Sequence, residues 1–290
     1  MTNHSSLGKV YLVGAGPGAA DLITVRGATL LEQADIVFHD ALVEPEMLNL
    51  CPQAIKVAVG KRCGKLSSAQ HFINKRLVDA TRQYKTIVRL KGGDPMLFGR
   101  ADEEIGALKK MGIEVEVVPG ITAALAGAAS LQQSLTLRGV SRSVAFITLA
   151  QATENGNEGQ AIDNLISNPI SNPSADTLVY YMGRKDCAKI AQQLIEQSVN
   201  HTGNTPVHIL EAVSTARERL WSSTLEALAA GKADQWFDSS SPALIMVGES
   251  LRTVDKNCQH NRAAGLESLG CEINDGLQNG LIFANSARRA

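Results

Sequence analysis

The segment Val88-Arg-Leu-Lys-Gly-Gly-Asp-Pro-Met-Leu-Phe-Gly-Arg100 constrains this chain most. It opens in a β-rich run (Thr86, Ile87, Val88, Leu90) and breaks at Gly92-Gly93, before Asp94-Pro95. A helical pattern begins near Ala101, directly after Gly99-Arg100. A strand that ends in paired glycines, an acid and a proline puts a tight turn at its carboxyl end, and in open α/β sheets that end is where ligands sit. The glycines let a ligand approach the backbone closely, and Asp94 would point a carboxylate at it. An ordinary β-turn uses the same residues, so the rest of the chain has to decide between the two.

The same grammar recurs along the chain. Lys9–Val13 reads as a buried strand, Gly14-Ala-Gly-Pro-Gly18 as its turn, Asp21–Ala34 as a helix, and Ile36–Phe38 as a second strand ending at His39-Asp40. Strand, glycine-rich turn, helix, strand is the opening of a parallel α/β sheet. Strands follow at Ile55–Val59 and Val115–Val118, with helices around Phe72–Val78 and over Glu103–Met111. Ala124–Ser130 reads as a helix of small residues, a composition for close backbone packing or a close-packed ligand. After Leu135-Thr-Leu-Arg138 the pattern restarts, with strands at Val144–Thr148, Thr177–Met182, Pro206–Leu210, Glu218–Ser222 and Pro242–Gly248, and helices at Ala188–Gln197 and Leu225–Ala230. Residues 151–175 read as a polar surface segment, and the chain beyond about Val254 has no convincing periodicity. The fold class is therefore α/β, with expected domains at 8–134 and 135–252 and a polar tail at 253–290.

Composition narrows the function. A formal charge of -1 gives no basic field for nucleic acid, and 4% aromatic residues are too few for a base-stacking platform. An anionic ligand must be met by local clusters such as Gly60-Lys-Arg-Cys-Gly64. The five cysteines are dispersed and none stands at zinc spacing, which predicts reduced thiols, a cytoplasmic protein and no metal. No apolar run approaches the roughly 18 residues of a membrane span, and no signal pattern opens the chain. The Gly14–Gly18 turn invites a dinucleotide reading, with Ala19 in the third glycine's place and Asp40 closing the next strand; the rival function is then an NAD-binding oxidoreductase. Pro17 lacks an N–H for a pyrophosphate, and Gly18 stands out of register with that fingerprint.

Val13-Gly-Ala-Gly-Pro-Gly18, His39-Asp-Ala-Leu-Val43, Val59-Gly-Lys-Arg62, Arg89-Leu-Lys-Gly-Gly-Asp-Pro95, Phe98-Gly-Arg100, Val118-Pro-Gly-Ile-Thr-Ala-Ala124, Tyr181-Met-Gly183 and Ser241-Pro-Ala-Leu-Ile-Met-Val-Gly-Glu249 stand in one order. In that order, over residues 8 to 252, the chain resembles the tetrapyrrole methylases, and among them the C-methylases of uroporphyrinogen III. The resemblance implies two α/β domains with the active site in the cleft between them, S-adenosylmethionine as methyl donor, S-adenosylhomocysteine as product, and a homodimer. It implies methylation of uroporphyrinogen III at C2 and C7, giving precorrin-2 for sirohaem, cobalamin or haem d1. Rivals on the same fold are another corrin-ring methylase, a diphthine synthase and a ribosomal-RNA 2′-O-methylase; Gly60-Lys-Arg62 together with Phe98-Gly-Arg100 favours the uroporphyrinogen branch.

By this resemblance the cofactor is bound by Pro17, Gly92, Gly93, Asp94, Leu97, Thr122, Ala123, Met182, Val213 and Ala243. Val213 stands where the family has a glycine and would serve through its backbone. Methyl transfer from a sulfonium to carbon is an in-line displacement with a neutral leaving group, so alignment and exclusion of water carry most of the catalysis. The acceptor's eight carboxylates call for Arg100 and Arg138, with Lys61 and Arg62 behind them. Glu103, one helical turn past Arg100, can orient that arginine or take the proton released from the macrocycle. Asp40 is the other candidate base, with Lys61 as the matching acid, and the sequence leaves the choice between Asp40 and Glu103 open. Two further departures are Thr148-Leu-Ala150 in place of Thr-Gly-His, and Leu135-Thr-Leu-Arg138, which keeps the arginine of Leu-Thr-His-Arg.

Overall fold

The computed structural model describes residues 7–59, 66–148 and 174–253. The basic loop with Lys61 and Arg62, Leu149-Ala150, most of the polar segment at 151–175 and the tail beyond Thr253 lie outside the described residues. Two five-stranded sheets carry the fold.

The first sheet takes β1 (Lys9–Gly14), β2 (Ile36–His39), β3 (Ile55–Ala58), β4 (Thr86–Lys91) and β5 (Val115–Val118) in the order β3-β2-β4-β1-β5. Every neighbouring pair runs parallel, so all five carboxyl ends lie along one edge. Apart from the buried Arg89 and Lys91 of β4, the central strands are largely apolar on both faces, as a parallel sheet covered on both sides requires. Val10, Leu12, Ile36, Phe38 and Ile87 share one face with Leu77 of α2 (Leu66–Ala80) and Leu108 of α3 (Ala101–Lys110). Val13, Val37, Val88 and Leu90 share the other with Leu31 of α1 (Val25–Glu32) and Met47.

The helix expected over Asp21–Ala34 is shorter. A 3-10 turn at Ala20–Leu22 precedes it, and α1 starts only at Val25 because the Thr24 side chain caps it, accepting from the Gly27 amide at 3.1 Å.

The second sheet takes β6 (Val144–Thr148), β7 (Thr177–Tyr181), β8 (Pro206–Glu211), β9 (Arg219–Thr224) and β10 (Ala243–Gly248) in the order β6-β7-β10-β8-β9. Only β6 and β7 are parallel; the other pairs are antiparallel. One face packs on α5 (Cys187–Gln197) and α6 (Leu225–Ala229). The other, with Val179, Leu210, Leu244 and Met246, receives α4 (Ala123–Leu131). The small residues of α4 answer to this packing: a Cβ on Gly127 would stand 3.3 Å from both Leu244 Cδ2 and Met246 Sδ. Helix α4 follows the first sheet in sequence and packs on the second, and both sheets belong to one compact unit that runs to Leu251.

Candidate functional site

Three glycine turns at the carboxyl edge of the first sheet touch through bare backbone. The Gly16 amide donates to the Gly93 carbonyl at 3.2 Å, and the Gly93 amide donates back to Gly16 at 2.7 Å. Both residues have left-handed φ, 77° and 67°, a conformation that favours glycine. A Cβ on Gly120 would stand 2.3 Å from the Gly93 carbonyl oxygen and 2.8 Å from Gly14 Cα. Asp94 ties the same turns together, accepting from Met96 N at 2.7 Å and Gly120 N at 2.9 Å. Its carboxylate, read from sequence as aimed at a ligand, is engaged on both oxygens by the protein's own amides. Gly93 differs from its neighbours, because a Cβ there would meet only Thr122 Cα, at 3.9 Å. Open space beside Gly93 and Thr122 is what a ligand laid against the backbone needs.

Most amides around the Gly14–Gly18 turn are engaged by the protein itself rather than offered to a pyrophosphate. Ala15 N donates to Lys91 O, Gly16 N to Gly93 O, and Ala19 N to Ser214 Oγ at 3.1 Å, while Pro17 has no N–H. Gly18 packs on the second half, where its Cβ would lie 2.8 Å from Val213 O and 2.6 Å from Thr215 Cγ2. Val213 therefore meets the first turn through its carbonyl.

The second half presents strained backbone. Met182, Ala212 and Ser214 have φ of 58°, 48° and 62°, joined from the first half by Phe98 and Arg100 at 52° and 53°. Such conformations cost on the order of 1–3 kcal/mol each and gather at binding sites. Met182 is 57% exposed, and the Tyr181 beside it bridges the halves. The Tyr181 hydroxyl lies 2.5 Å from Thr122 Oγ1 and accepts from Ala124 N at 3.1 Å, so it caps α4, whose Thr122 makes no side-chain cap of its own. Burial raises its pKa above the usual tyrosine value and keeps the hydroxyl protonated. Its ring stacks at 5.2 Å on Phe98 and 6.3 Å from Phe146. Ala243 is held near this group, since Ala212 N donates to Pro242 O at 3.1 Å. Arg184, two residues past Met182, binds the carbonyls of Asp238, Ser239 and Ser241.

Arg100 caps the start of α3 and grips Glu103 with two bonds, Nε to Oε1 at 2.6 Å and an outer nitrogen to Oε2 at 2.8 Å. Asp40 lies elsewhere on the edge, its Oδ1 2.5 Å from the buried Arg89. Arg138 is exposed in the turn closed by Leu137 N and Ser141 O, and among the described residues no hydrogen bond or ion pair joins it to the others. The structure thus brings together Pro17, Gly92, Gly93, Asp94, Thr122, Ala123 and Val213, with Met182 and Ala243 on the second half's rim. It leaves Arg138 apart.

Sequence reasoning passed over Arg89, Lys91 and Glu104, which are buried together beneath the turn. Strand periodicity carried the signal: Arg89 and Lys91 alternate with Val88 and Leu90 and so fall on the face of Ile87, under α3. It also missed Ser214, which had no signal beyond its closeness to Val213.

Residues 9–229 match the family model described as Tetrapyrrole (Corrin/Porphyrin) Methylases. The siroheme synthase of Pseudomonas paraeruginosa is 40% identical over 256 residues, covering 87% of this chain and 52% of that protein. That of Chromobacterium violaceum is 41% identical over 257 residues, 88% of this chain and 52% of its own length. The chain spans about half the length of the curated relatives it matches. Among solved structures, the uroporphyrin-III C-methyl transferase of Thermus thermophilus complexed with S-adenyl homocysteine superposes with a TM-score of 0.67 at 34% identity, covering 84% of this chain and 94% of that one.

Proposed function

Because the chain belongs to the tetrapyrrole (corrin/porphyrin) methylases, we propose that it methylates uroporphyrinogen III at C2 and C7 with S-adenosylmethionine as donor, giving precorrin-2. The observation that carries this reading is the open space beside Gly93 and Thr122, where three glycine turns interlock through backbone. The Thermus thermophilus relative complexed with S-adenyl homocysteine supports the choice of donor. Pro17, Gly92, Gly93, Asp94, Leu97, Thr122, Ala123, Met182, Val213 and Ala243 would hold the donor, Val213 through its carbonyl. S-adenosylmethionine, when bound, supplies an electrophilic methyl whose leaving thioether is neutral.

The protein's share is alignment, charge and one proton. Arg100 is preset by its two bonds to Glu103 and meets a carboxylate of the acceptor. Both Glu103 oxygens are engaged in that grip, so Glu103 orients the arginine and Asp40 takes the proton. Two observations support Asp40 in that role. Arg89 fixes its Oδ1, while Oδ2 receives no hydrogen bond from the described residues, and the side chain is half-buried at a strand's carboxyl end. Arg138, Lys61 and Arg62 complete the contacts to the acceptor. The cytoplasmic homodimer implied by the resemblance belongs to the same proposal; the exposed Leu137, Val140 and Phe146 give such a contact apolar surface.

Anaerobic incubation with uroporphyrinogen III and S-adenosylmethionine tests the reaction. A dimethylated product absorbing like an isobacteriochlorin after oxidation is expected, and its absence would overturn the acceptor. Arg100→Ala should lower turnover about 100-fold or more while S-adenosylhomocysteine binds as before. A parallel loss of that affinity would put Arg100 on the donor side.

A further inference from the structure

The first sheet buries charge directly behind the site. Ile36, Phe38 and Asp40 alternate onto the sheet face that also carries Ile87, Arg89 and Lys91. Helix α3 lays Glu104 over that face and α2 adds Gln70. Arg89 is 2% exposed, Lys91 3% and Glu104 0%. Glu104 Oε1 accepts from Arg89 Nε, Lys91 Nζ and Gln70 Nε2, each at 3.1 Å, while Oε2 has no partner among the described residues. The Arg89 fork is fully engaged: Nε on Glu104, one outer nitrogen on the Phe38 and Leu90 carbonyls, the other on Asp40. Lys91 leads into Gly92, and its Cε lies 3.2 Å from where a Gly99 Cβ would be, so its stem runs under the Gly92–Arg100 turn. Burial, together with the like charge of Arg89, lowers the Lys91 pKa against the pull of Glu104 and Asp40.

A buried cluster of this kind is a poor way to gain stability. Removing ions from water is costly, and well-packed apolar residues of the same volume often do as well or better. Its geometry serves position instead. The locked guanidinium leaves one place for Asp40 Oδ1, and the same Glu104 oxygen that locks it also holds the lysine beneath the donor turn.

We propose that Glu104 is a positioning residue for methyl transfer: through Arg89 it fixes the Asp40 carboxylate, and through Lys91 it fixes the Gly92–Arg100 turn. One buried carboxylate thereby sets the proton acceptor against the donor pocket. The inference rests on the assignment of Asp40 as the base.

A kinetic cycle on the full chain tests it, with Arg89→Lys, Glu104→Gln, Asp40→Asn and the two doubles that include Asp40→Asn. Arg89→Lys keeps the charge and loses the fork; its kcat should fall about 10–100-fold, with S-adenosylhomocysteine affinity kept within about twofold. Glu104→Gln should lower kcat by a similar factor and also weaken S-adenosylhomocysteine about threefold or more, because it alone touches Lys91. In the Asp40→Asn background, Arg89→Lys should cost less than about twofold further, since no carboxylate remains to be placed. A merely structural cluster behaves otherwise, and equal losses from Arg89→Lys in both backgrounds would overturn the proposal. If Arg89→Lys does not fold, Glu104→Gln completes the same cycle with Asp40→Asn and is read the same way. Wild-type turnover by Asp40→Asn would remove the base assignment and this proposal together, whereas a slow Asp40→Asn with multiplicative doubles removes only the positioning role.

Discussion

The two sheets bury polar groups in different ways. The parallel sheet buries charged groups and pairs them, with Arg89 and Lys91 on Glu104 and Asp40. In the mixed sheet burial shifts titratable groups toward their neutral forms: Tyr180, Tyr181 and the Glu211 carboxyl are raised, and His201 and His208 lowered. Backbone divides the same way. The first half combines glycines locked to one another with Phe98 and Arg100 at positive φ, whereas the second relies on the non-glycine residues Met182, Ala212 and Ser214 held at positive φ. Parallel topology explains part of this, since it gathers five carboxyl ends on one edge where turns can interlock and strand-end side chains can converge. The first half thus fixes positions by charge and bare backbone, and the second by burial and backbone held at positive φ.

The sharpest way to break this division is to add a single methyl to the interlocked turns. Gly120→Ala puts a carbon 2.3 Å from the Gly93 carbonyl and 2.8 Å from Gly14 Cα, and neither backbone can yield alone. A destabilisation of about 3 kcal/mol is expected, with loss of S-adenosylhomocysteine binding in the protein that still folds. Gly106→Ala, where nothing lies within 4 Å, is the control and should be silent or slightly stabilising. Thermal melts and calorimetry on the pair check both. Comparable melting of the two variants would show that the turns are not interlocked as described.

On the second half the matching probe is Tyr181→Phe. It keeps the ring contact to Phe98 and removes the hydroxyl shared by Thr122 and Ala124. The uncapped Ala124 amide should cost about 1–2 kcal/mol. Because the same hydroxyl holds Thr122, proposed above as a donor contact, S-adenosylhomocysteine affinity should fall about threefold, read by calorimetry, with acceptor KM unchanged. A change in acceptor KM alone would place Tyr181 on the other side of the pocket.

Much of this was legible in the sequence because it rests on local chemistry. The strand-ending glycines of Gly14–Gly18 and Gly92-Gly93 announced an α/β edge, and the small residues of Ala124–Ser130 announced a close-packed helix. What could not be read was long-range. Asp94 is an acid in a turn in either setting, and only the fold reveals that its second oxygen binds Gly120, 26 residues on. The start of α1 was misplaced because Thr24 sits inside a run that is apolar on both sides, and a cap signal there is weaker than the periodicity around it. The buried Arg89, Lys91 and Glu104 needed three elements to meet. Charged residues in a strand read first as an exposed face, and only the covering helix shows that this face is interior.

The mildest probe is pH, and it bears on the neutral groups of the second half. His208 is buried, donates to or accepts from Ser222 Oγ at 2.8 Å, and reaches the Leu251 carbonyl at 2.9 Å. Burial lowers its pKa below the ordinary 6.5, so the folded chain refuses a proton that the unfolded chain accepts. Stability from this residue is therefore complete above that value and is lost as pH falls through it, by at most about 1.4 kcal/mol per pH unit. His201, buried against Asp176 O and Ser198, adds a loss of the same sign. His208→Gln, whose amide can still donate to Leu251, should lower Tm slightly at pH 7.5 and flatten its decline toward pH 5.5. An unchanged slope would mean that His208 already takes up its proton in the folded protein, and that the second half is not the acid-sensitive one.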